Sequence, residues 1–178
     1  MVIDIFNTDK KYKTIYIDPP WQERGGGKIK RGADRHYNLM SIEEIERLPI
    51  KSLADDEGCH LYMWVTNNFL EKAFALLKSW GFEYVTIITW HKDRIGLGQY
   101  FRGLTEHCLF ATTKKRLPYK VLDGKRQQGV TGFYESKTIH SRKPHKMREM
   151  IEKVSYSPRI ELFARQTFDG WDCWGNEV

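Results

Sequence analysis

The chain has 178 residues, of which 40% are hydrophobic and 29% are charged. These values are typical of one globular domain rather than a disordered or fibrous chain, so we expect a single domain over residues 1–178. No apolar run approaches the roughly 20 residues that cross a bilayer, and the first residues lack the pattern of a signal peptide, which predicts a cytoplasmic protein without membrane contact.

The balance of charge favours a polyanionic partner. Lys and Arg number 29 against 23 Asp and Glu, which gives a formal net charge of +6 at pH 7. The basic residues gather within residues 28–35, 114–116 and 137–148. This distribution suits contact with a phosphate backbone, although each stretch taken singly is also typical of a solvated surface.

The cysteines exclude two classes of stabilised fold. Cys59, Cys108 and Cys173 are odd in number and widely spaced, and two of them lie within apolar runs. This pattern matches neither a disulfide framework nor a zinc site, so we expect reduced thiols and no metal centre.

The first predicted element is a short β-branched and aromatic strand at residues 14–17. It ends at Asp18, because prolines at 19 and 20 prevent its continuation. Residues 22–36 contain three consecutive glycines and several basic residues, which predicts a mobile loop. Ser41 and Glu44 then form a capping-box pattern for a short helix.

The middle of the chain alternates between strand and helix patterns. We predict a strand at residues 59–65 and a helix at 69–80, with Leu70, Ala73, Phe74 and Leu77 on its apolar face and Gly81 at its end. Strands are predicted at 84–90 and 106–112, with a glycine-containing loop over 93–103 between them.

The last part begins with a basic, aperiodic segment at about residues 113–137, which we interpret as a mobile connection or lid. Pro144 then opens a helix whose Met147, Met150, Ile151 and Val154 share one face, and a strand follows at 159–164. Residues 172–175 are too few to assign.

This order of elements predicts an α/β fold with a mainly parallel sheet flanked by helices. Ligands of such sheets bind beyond the carboxyl ends of the strands. Asp18 and Arg165 both follow predicted strands and therefore fall at such ends.

The sequence Asp18-Pro19-Pro20-Trp21 suits methylation of an amine. As a structural feature alone it is a rigid turn. Adenine's exocyclic nitrogen, however, is a poor nucleophile, and a carboxylate and a fixed backbone carbonyl that hold its two hydrogens would direct its lone pair at a methyl donor. Trp21 would offer a face on which the purine stacks. No metal is implied.

Taken with other motifs, this sequence resembles the MT-A70 family of adenine methyltransferases, which includes the eukaryotic messenger-RNA enzyme and small bacterial and phage DNA enzymes. The resemblance covers most of the chain and is closest to the prokaryotic or phage members. It rests on Asp18 to Trp21, Met40-Ser41, Leu61 to Thr66, Trp80-Gly81-Phe82, Ile88-Thr89-Trp90, Glu106 to Leu109, Lys143-Pro144, Ile160 to Arg165 and Trp174-Gly175-Asn176.

The resemblance implies a Rossmann-like methyltransferase fold with permuted motif order and S-adenosylmethionine as cofactor. It assigns Lys143 to the methionine carboxylate of the cofactor, and Asp18 to its ammonium as well as to the target amine. Further cofactor contacts are implied for Arg165, Asn176 and Glu177 at the ribose and for Asp4 and Ile5 at the adenine.

On the substrate side, the resemblance makes Tyr37 an aromatic lid over the target base and Glu106 an acid that shapes the site. Trp64 and Trp90 are interpreted either as walls of the substrate site or as core residues. His107 and His140 lack ligand spacing and are expected to be structural or phosphate-facing. Two departures from the family, Ala164 in place of glycine and the aromatic Phe168, bear on the ribose contacts.

The predicted function is methyl transfer to the N6 amine of adenine in nucleic acid, with DNA favoured. RNA is the alternative substrate, and a non-catalytic nucleic-acid-binding subunit is the alternative class. A homodimer or a partner subunit would supply recognition surface that the small chain lacks. A nucleotide hydrolase is disfavoured because Lys28 of the Gly25–Lys28 run is not followed by Ser or Thr, and the motifs of a zinc deaminase and of a nicotinamide enzyme are missing.

Overall fold

The computed structural model describes residues 1–22, 39–96, 98, 100–136 and 143–178. Its helices are α1 (Ile42–Glu46), α2 (Ile50–Leu53), α3 (Leu70–Ser79), which follows a 3-10 turn at Asn67–Phe69, and α4 (His145–Val154). Its strands are β1 (Thr14–Ile17), β2 (His60–Val65), β3 (Phe82–His91), β4 (Thr105–Thr113), β5 (Val121–Leu122), β6 (Lys125–Arg126), β7 (Gly132–Tyr134), β8 (Arg159–Leu162) and β9 (Asp172–Trp174).

Seven strands form one twisted sheet in the order β7-β3-β4-β2-β1-β8-β9. Only β4 runs antiparallel to its neighbours β2 and β3, and the other pairings in this sheet are parallel. The prediction of an α/β fold with a mainly parallel sheet is confirmed. Strands β5 and β6 form a separate antiparallel ribbon.

Side-chain alternation along the strands divides the core into two layers. On β2, Leu61 and Met63 belong to the cluster that contains α1, α2 and α3, whereas Tyr62 and Trp64 belong to the cluster that contains α4. All six residues of β2 are buried, as expected for a central strand covered on both faces. The sheet is therefore the middle layer between helices.

Two predicted helix boundaries are confirmed. Ser41 Oγ accepts a hydrogen bond from the Glu44 backbone N–H at 3.2 Å, and Glu44 Oε2 accepts one from the Ser41 N–H at 2.7 Å, which completes the capping box of α1. Helix α3 ends before Gly81, whose φ of 83° is readily adopted only by glycine. Phe74 was placed on the buried face of α3, but it is exposed and packs edge-on against Tyr84, while Leu76 is buried.

The segment at 113–137 differs from the sequence prediction, because β5, β6 and β7 lie within it. Strand β7 pairs in parallel with the end of β3, and its Phe133 is buried in the α4 layer. Strands of two or three residues are too short to show periodicity, which explains why this segment looked like a plain connection. The other predicted loop, at 22–36, falls outside the described residues except for Gln22.

The three cysteines are free and buried, which places them in the core. Strand β9, which was too short to assign from sequence, closes the sheet beside β8. No helix among the described residues is long and apolar enough to span a membrane.

Candidate active site

The sequence-predicted site residues that the structure describes gather where the parallel strands have their carboxyl ends. We call this end of the sheet the carboxyl edge, or simply the edge. Strands β1, β8 and β9 run in parallel, so the residues that follow them, Asp18, Arg165 and Asn176, leave the sheet on the same side. Val2 bridges to Cys173 in parallel, and the segment from Asp4 therefore emerges at this edge too. This placement follows the rule that parallel sheets bind ligands at their carboxyl ends.

Glu106 reaches the same edge from the opposite chain direction. Strand β4 is antiparallel, so its amino end lies where the other strands end, and Glu106 pairs in register with Trp90 near the end of β3. Lys92 follows β3 directly. The chain thus brings two acidic and two basic side chains together from four separate segments.

These four side chains form an alternating charged cluster. Lys143 Nζ lies 2.8 Å from Asp18 Oδ1 and 3.4 Å from Glu106 Oε2, and Lys92 Nζ lies 3.1 Å from Glu106 Oε1. Their side chains are between 12% and 23% exposed. Partial burial strengthens such interactions relative to those of a solvated ion pair.

The cluster keeps Glu106 and Lys143 charged. Burial alone would raise the pKa of Glu106, but the charges of Lys143 and Lys92 outweigh it and hold that pKa below its usual value. Burial alone would lower the pKa of Lys143, but Asp18 and Glu106 raise it above the usual value of a lysine. Glu106 is therefore ionised and Lys143 protonated at neutral pH.

Tryptophan side chains lie beneath the cluster. Trp64 and Trp90 are 1% and 2% exposed and pack edge-to-face with ring centres 6.2 Å apart. Lys143 Nζ is 5.5 Å from the Trp64 ring centre, within the range of a cation–π contact. Of the two interpretations of Trp64 and Trp90, the structure favours core residues that support the site, because neither exposes a ring face to a substrate.

Trp21 differs from its predicted role as a stacking surface. Its side chain is only 6% exposed, it stacks on Phe69 with ring centres 5.3 Å apart, and its Nε1 donates to the Trp64 carbonyl at 3.0 Å. The physical reason is that the turn after β1 directs this indole into the α1–α3 layer. Trp21 fixes the turn to the sheet and leaves no open face for a base.

The two prolines present ordered carbonyls. The Pro19 carbonyl accepts from the Trp21 N–H at 2.9 Å, and the Pro20 carbonyl accepts from the Met40 N–H at 2.9 Å. A carbonyl oxygen has two lone pairs, so each retains capacity for a second donor. The turn is therefore a rigid acceptor array beside Asp18.

The side chains assigned to the cofactor's nucleoside have varied surroundings. The Asp4 carboxylate accepts from the Phe6 N–H at 3.0 Å and from the Asn7 amide, while the Ile5 side chain is buried in the core. Arg165 Nε lies 3.9 Å from Glu177 Oε1, and Asn176 is exposed. Arg165 and Glu177 thus face each other beyond the ends of β8 and β9, whereas Ile5 can offer only its backbone.

Two residues of the site were missed by the sequence reasoning. Lys92 follows a predicted strand, so the carboxyl-end rule applied to Asp18 could have found it. Glu135 accepts the N–H groups of His145 at 2.9 Å and Lys146 at 3.1 Å, which caps α4 two residues after Lys143. No local pattern signals that contact.

The remaining candidates do not join the described cluster. Tyr37 and His140 lie outside the described residues. His107 Nδ1 lies 3.0 Å from Thr89 Oγ1, a contact within the sheet that agrees with a structural role. Among the residues that are described, no group of three or more His, Cys, Asp or Glu is placed to hold a metal ion.

Comparison with known proteins identifies a matching family model and several relatives of the chain. Residues 12–177 match the family model MT-A70. The chain is 31% identical to the type II methyltransferase M.MunI of a Mycoplasma species, over 95% of this chain and 78% of that protein. It is 30% identical to the human N(6)-adenine-specific methyltransferase METTL4, and 29% identical to the N6-methyladenosine RNA methyltransferase MTA1 of Cryphonectria parasitica. It spans 39% and 52% of the latter two proteins.

Proposed function

Because the chain belongs to the MT-A70 family, we propose that it transfers a methyl group from S-adenosylmethionine to the N6 amine of adenine in DNA. The observation that carries this proposal is the contact of Lys143 with Asp18 at the edge that presents the Asp-Pro-Pro-Trp turn. A binding subunit without catalysis would have no need of an intact acceptor turn beside these two charges.

The charged cluster suits the amino-acid end of the proposed cofactor. That end carries one carboxylate and one ammonium, and Lys143 and Asp18 are opposite charges 2.8 Å apart. In our proposal Lys143 binds the carboxylate and Asp18 the ammonium. When bound, the cofactor supplies an electrophilic methyl group.

The ribose and adenine of the cofactor would extend along the ends of β8 and β9. Arg165, Asn176 and Glu177 are the proposed ribose contacts, since a carboxylate can accept from both hydroxyls. Asp4 and the backbone of Ile5 are proposed at the cofactor's adenine, next to the exposed Phe6, which packs against Trp174.

The target amine would be held by Asp18 and the carbonyl of Pro19. Each oxygen of a carboxylate has more than one acceptor site, so the Lys143 contact at Oδ1 leaves Asp18 capacity for an amine hydrogen. Holding both hydrogens directs the nitrogen lone pair, and the proton released after transfer can pass through Asp18 to water. Glu106 fixes Lys143 from the other side and so maintains this geometry.

The target base needs an aromatic surface other than the buried tryptophans. Tyr37 remains the candidate lid from the family resemblance. Tyr134 is a further candidate, because it is largely exposed at the end of β7 and stacks on His91 with ring centres 4.8 Å apart. An exposed ring at a basic edge suits stacking with an unpaired base.

DNA is the proposed substrate because the compact chain resembles the small prokaryotic and phage members of the family: it spans 78% of the bacterial relative M.MunI but only 52% of the RNA methyltransferase MTA1. We further propose a homodimer or a partner subunit. In support, Ile95, Tyr100, Phe101 and Leu104 are exposed in the loop between β3 and β4. Solvent-exposed apolar side chains so close in sequence are typical of an interaction surface.

The test is methyl transfer to defined oligonucleotides. Purified protein is incubated with methyl-labelled S-adenosylmethionine and matched single-stranded DNA, duplex DNA or RNA, each digested afterwards to nucleosides. We expect labelled N6-methyldeoxyadenosine from DNA and none with the Asp18→Ala variant. Label confined to RNA would overturn the DNA assignment, and cofactor binding without any methyladenine would overturn the enzymatic one.

A further inference from the structure

A cavity of about 520 Å³ lies between the sheet and α4. Its floor comes from the first half of β2 and the second half of β4, where Tyr62 pairs in register with Phe110. This floor reaches His60, the first residue of β2, whereas the charged cluster lies at the carboxyl edge. None of the four residues of that cluster, all of which the structure describes, lines the cavity. The cavity is therefore a separate site.

The walls of the cavity are apolar. Tyr62 and Phe110 stack on its floor with ring centres 4.8 Å apart. Four side chains from one face of α4 line the opposite wall: Met147, Met150, Ile151 and Val154. Thioethers make favourable contacts with aromatic rings, and a volume of this size accommodates a small molecule. A ligand with an aromatic body therefore fits this space.

The charge at the cavity is positive. Among the described residues that line it, two are arginines, Arg116 and Arg126, and none is Asp or Glu. His60 adds no charge, because burial lowers its pKa, and its ring nitrogens lie 2.8 Å from Ser155 Oγ and 3.0 Å from the Leu117 carbonyl oxygen. The cavity therefore attracts an anionic ligand and repels a cationic one.

Arg126 has hydrogen-bond donors to offer an anion. Its Cζ lies 3.8 Å from the centre of the Tyr119 ring, so the guanidinium stacks on that ring by its face. The N–H donors of a guanidinium lie in its plane, and a contact through the face does not use them. These donors match the two oxygens of a carboxylate in a bidentate contact. Arg126 is thus the anchor for a carboxylate.

Arg116 offers a weaker second contact. It lies 3.5 Å from Glu83, and these two side chains are 68% and 46% exposed. Exposed ion pairs contribute little in water, so Glu83 holds Arg116 only loosely. Arg126 is exposed as well. Both arginines therefore lie at the mouth of the cavity, where an anion keeps part of its hydration and avoids the cost of complete burial.

We propose that this cavity binds an aromatic carboxylate, with its ring system between α4 and the sheet and its carboxylate at Arg126. Arg116 adds attraction from the other part of the mouth. The site does not depend on the proposed methyl transfer, because its residues lie outside the charged cluster.

The test compares naphthalene compounds that are similar in shape and different in charge. At neutral pH 2-naphthoate is anionic, 2-naphthamide is neutral and 2-naphthylmethylamine is cationic. Protein labelled with ¹³C at the methionine methyl groups is titrated with each compound and followed by NMR. We expect 2-naphthoate to shift the signals of Met147 and Met150, while those of Met1 and Met40, which lie outside the cavity lining, stay in place.

The order of affinities tests the role of charge. We expect the dissociation constant of 2-naphthoate to be about 10-fold lower than that of 2-naphthamide, as for one charge-assisted contact, and the cationic compound to bind most weakly. Unchanged Met147 and Met150 signals, or equal affinities for the carboxylate and the amide, would overturn the proposal.

A variant of Arg126 tests the anchor. Arg126→Gln changes an exposed side chain, so we expect the fold to persist, 2-naphthoate binding to weaken about 10-fold and 2-naphthamide binding to stay the same. Arg47→Gln is the matched control, because Arg47 is exposed at the end of α1, on the other face of the sheet. Equal weakening of both compounds by Arg126→Gln, or of neither, would refute the assigned anchor.

A variant of Gly129 tests the location. A Cβ at Gly129 would lie 3.5 Å from Val154 Cγ2 and 3.7 Å from Met150 Sδ, and so would point into the cavity. We expect Gly129→Phe to fill the space and to abolish 2-naphthoate binding. Binding to this variant with wild-type affinity would show that the compound lies elsewhere and would overturn the proposal.

S-adenosylmethionine distinguishes the two sites. Its saturating addition should leave 2-naphthoate binding unchanged, because the cavity shares no residue with the charged cluster. Competitive displacement of 2-naphthoate would show that the cavity belongs to the cofactor site and would overturn the proposal. This outcome is independent of whether methyl transfer occurs.

Discussion

At the scale of single residues, Asp18 is the proposed catalytic residue, and its side chain contributes little to packing. Its side chain is 23% exposed at a strand end. We expect Asp18→Asn to keep the fold, with a melting temperature within a few degrees of wild type, and to reduce methyl transfer by at least about 100-fold, as for the loss of one preorganised group in an active site. Asp56→Asn, in an exposed turn, is the control. Near-normal turnover of Asp18→Asn would remove Asp18 from the mechanism.

Lys143 is expected to act through cofactor binding. Lys143→Ala should weaken S-adenosylmethionine binding by about 1 to 3 kcal/mol, since one charge-assisted contact is lost. Lys92→Ala is the matched control, because Lys92 pairs with Glu106 whereas Lys143 pairs with Asp18. Calorimetry of both variants makes the comparison. Equal losses of cofactor affinity in the two variants would indicate that Lys143 only helps to hold the charged cluster together and does not bind the cofactor.

Glu106 should make stability depend on pH in the acidic range. Its pKa is held below the usual value in the folded protein, so its stabilising contribution is present above the unfolded-state pKa of about 4 and is lost as pH falls through the folded value. We expect Glu106→Gln to be less stable than wild type at neutral pH and the difference to shrink below about pH 4. Urea unfolding at a series of pH values measures it; a difference that is constant with pH would contradict the assignment.

The residue patterns predicted where a residue lies in the sheet better than they predicted the direction in which its side chain points. The end of a strand followed by two prolines was enough to place Asp18 at the edge of the sheet. The inward direction of Trp21 could not be predicted, because side-chain alternation does not extend into a turn. Its direction depends on contacts with Phe69 and the Trp64 carbonyl, which are distant in sequence.

At the scale of elements, Glu135 connects β7 to the start of α4. Its carboxylate accepts two N–H groups of the first turn, where the N-cap Pro144 offers no side-chain acceptor. We expect Glu135→Ala to lower the free energy of unfolding by about 0.5 to 2 kcal/mol and to weaken cofactor binding through Lys143. The exposed Glu149 on the same helix provides the control variant Glu149→Ala. Urea unfolding and calorimetry give both quantities, and identical values for the two variants would exclude the capping role.

Elements with a long repeating pattern were predictable, and short ones were not. Helices α3 and α4 and strands β2, β3 and β4 were all expected, because an apolar period or a β-branched run extends over several residues. Strand β7 has three residues. Its place in the sheet depends on pairing with β3, more than 40 positions earlier, and no local pattern records that pairing.

At the scale of the whole molecule, the excess of basic residues should govern affinity for nucleic acid but not for the cofactor. The net charge is +6, and phosphate contacts release counterions. We expect the logarithm of the Michaelis constant for DNA to rise linearly with the logarithm of the salt concentration, with a slope of about 0.9 for each phosphate contact. The Michaelis constant for S-adenosylmethionine should change little. Steady-state kinetics at several salt concentrations test this. Parallel responses of the two constants would argue against a phosphate-tracking surface.

In the proposed mechanism Asp18 and the Pro19 carbonyl hold the target amine from two sides, which is not possible while adenine is paired in the stack, so a duplex must extrude the base. Extrusion costs a few kcal/mol, and we expect single-stranded or mismatched adenine to react at least as readily as paired adenine unless duplex-specific phosphate contacts offset that cost. Matched oligonucleotides compare the rates, with Tyr134→Ala as a variant expected to impair DNA use alone. Faster reaction of fully paired adenine at high salt would contradict the extrusion requirement.

The contact between Lys143 and Asp18 has a further consequence for the working cycle. A methyl donor and its demethylated product share the same amino-acid end, and in the proposed binding mode these two opposite charges bind both molecules alike. Discrimination between them then rests on the sulfonium centre and its methyl group, so we expect the demethylated product to compete with fresh donor for the site. The rate of methylation in a cell would then depend on the ratio of the methyl donor to its demethylated product, and not on the concentration of the donor alone.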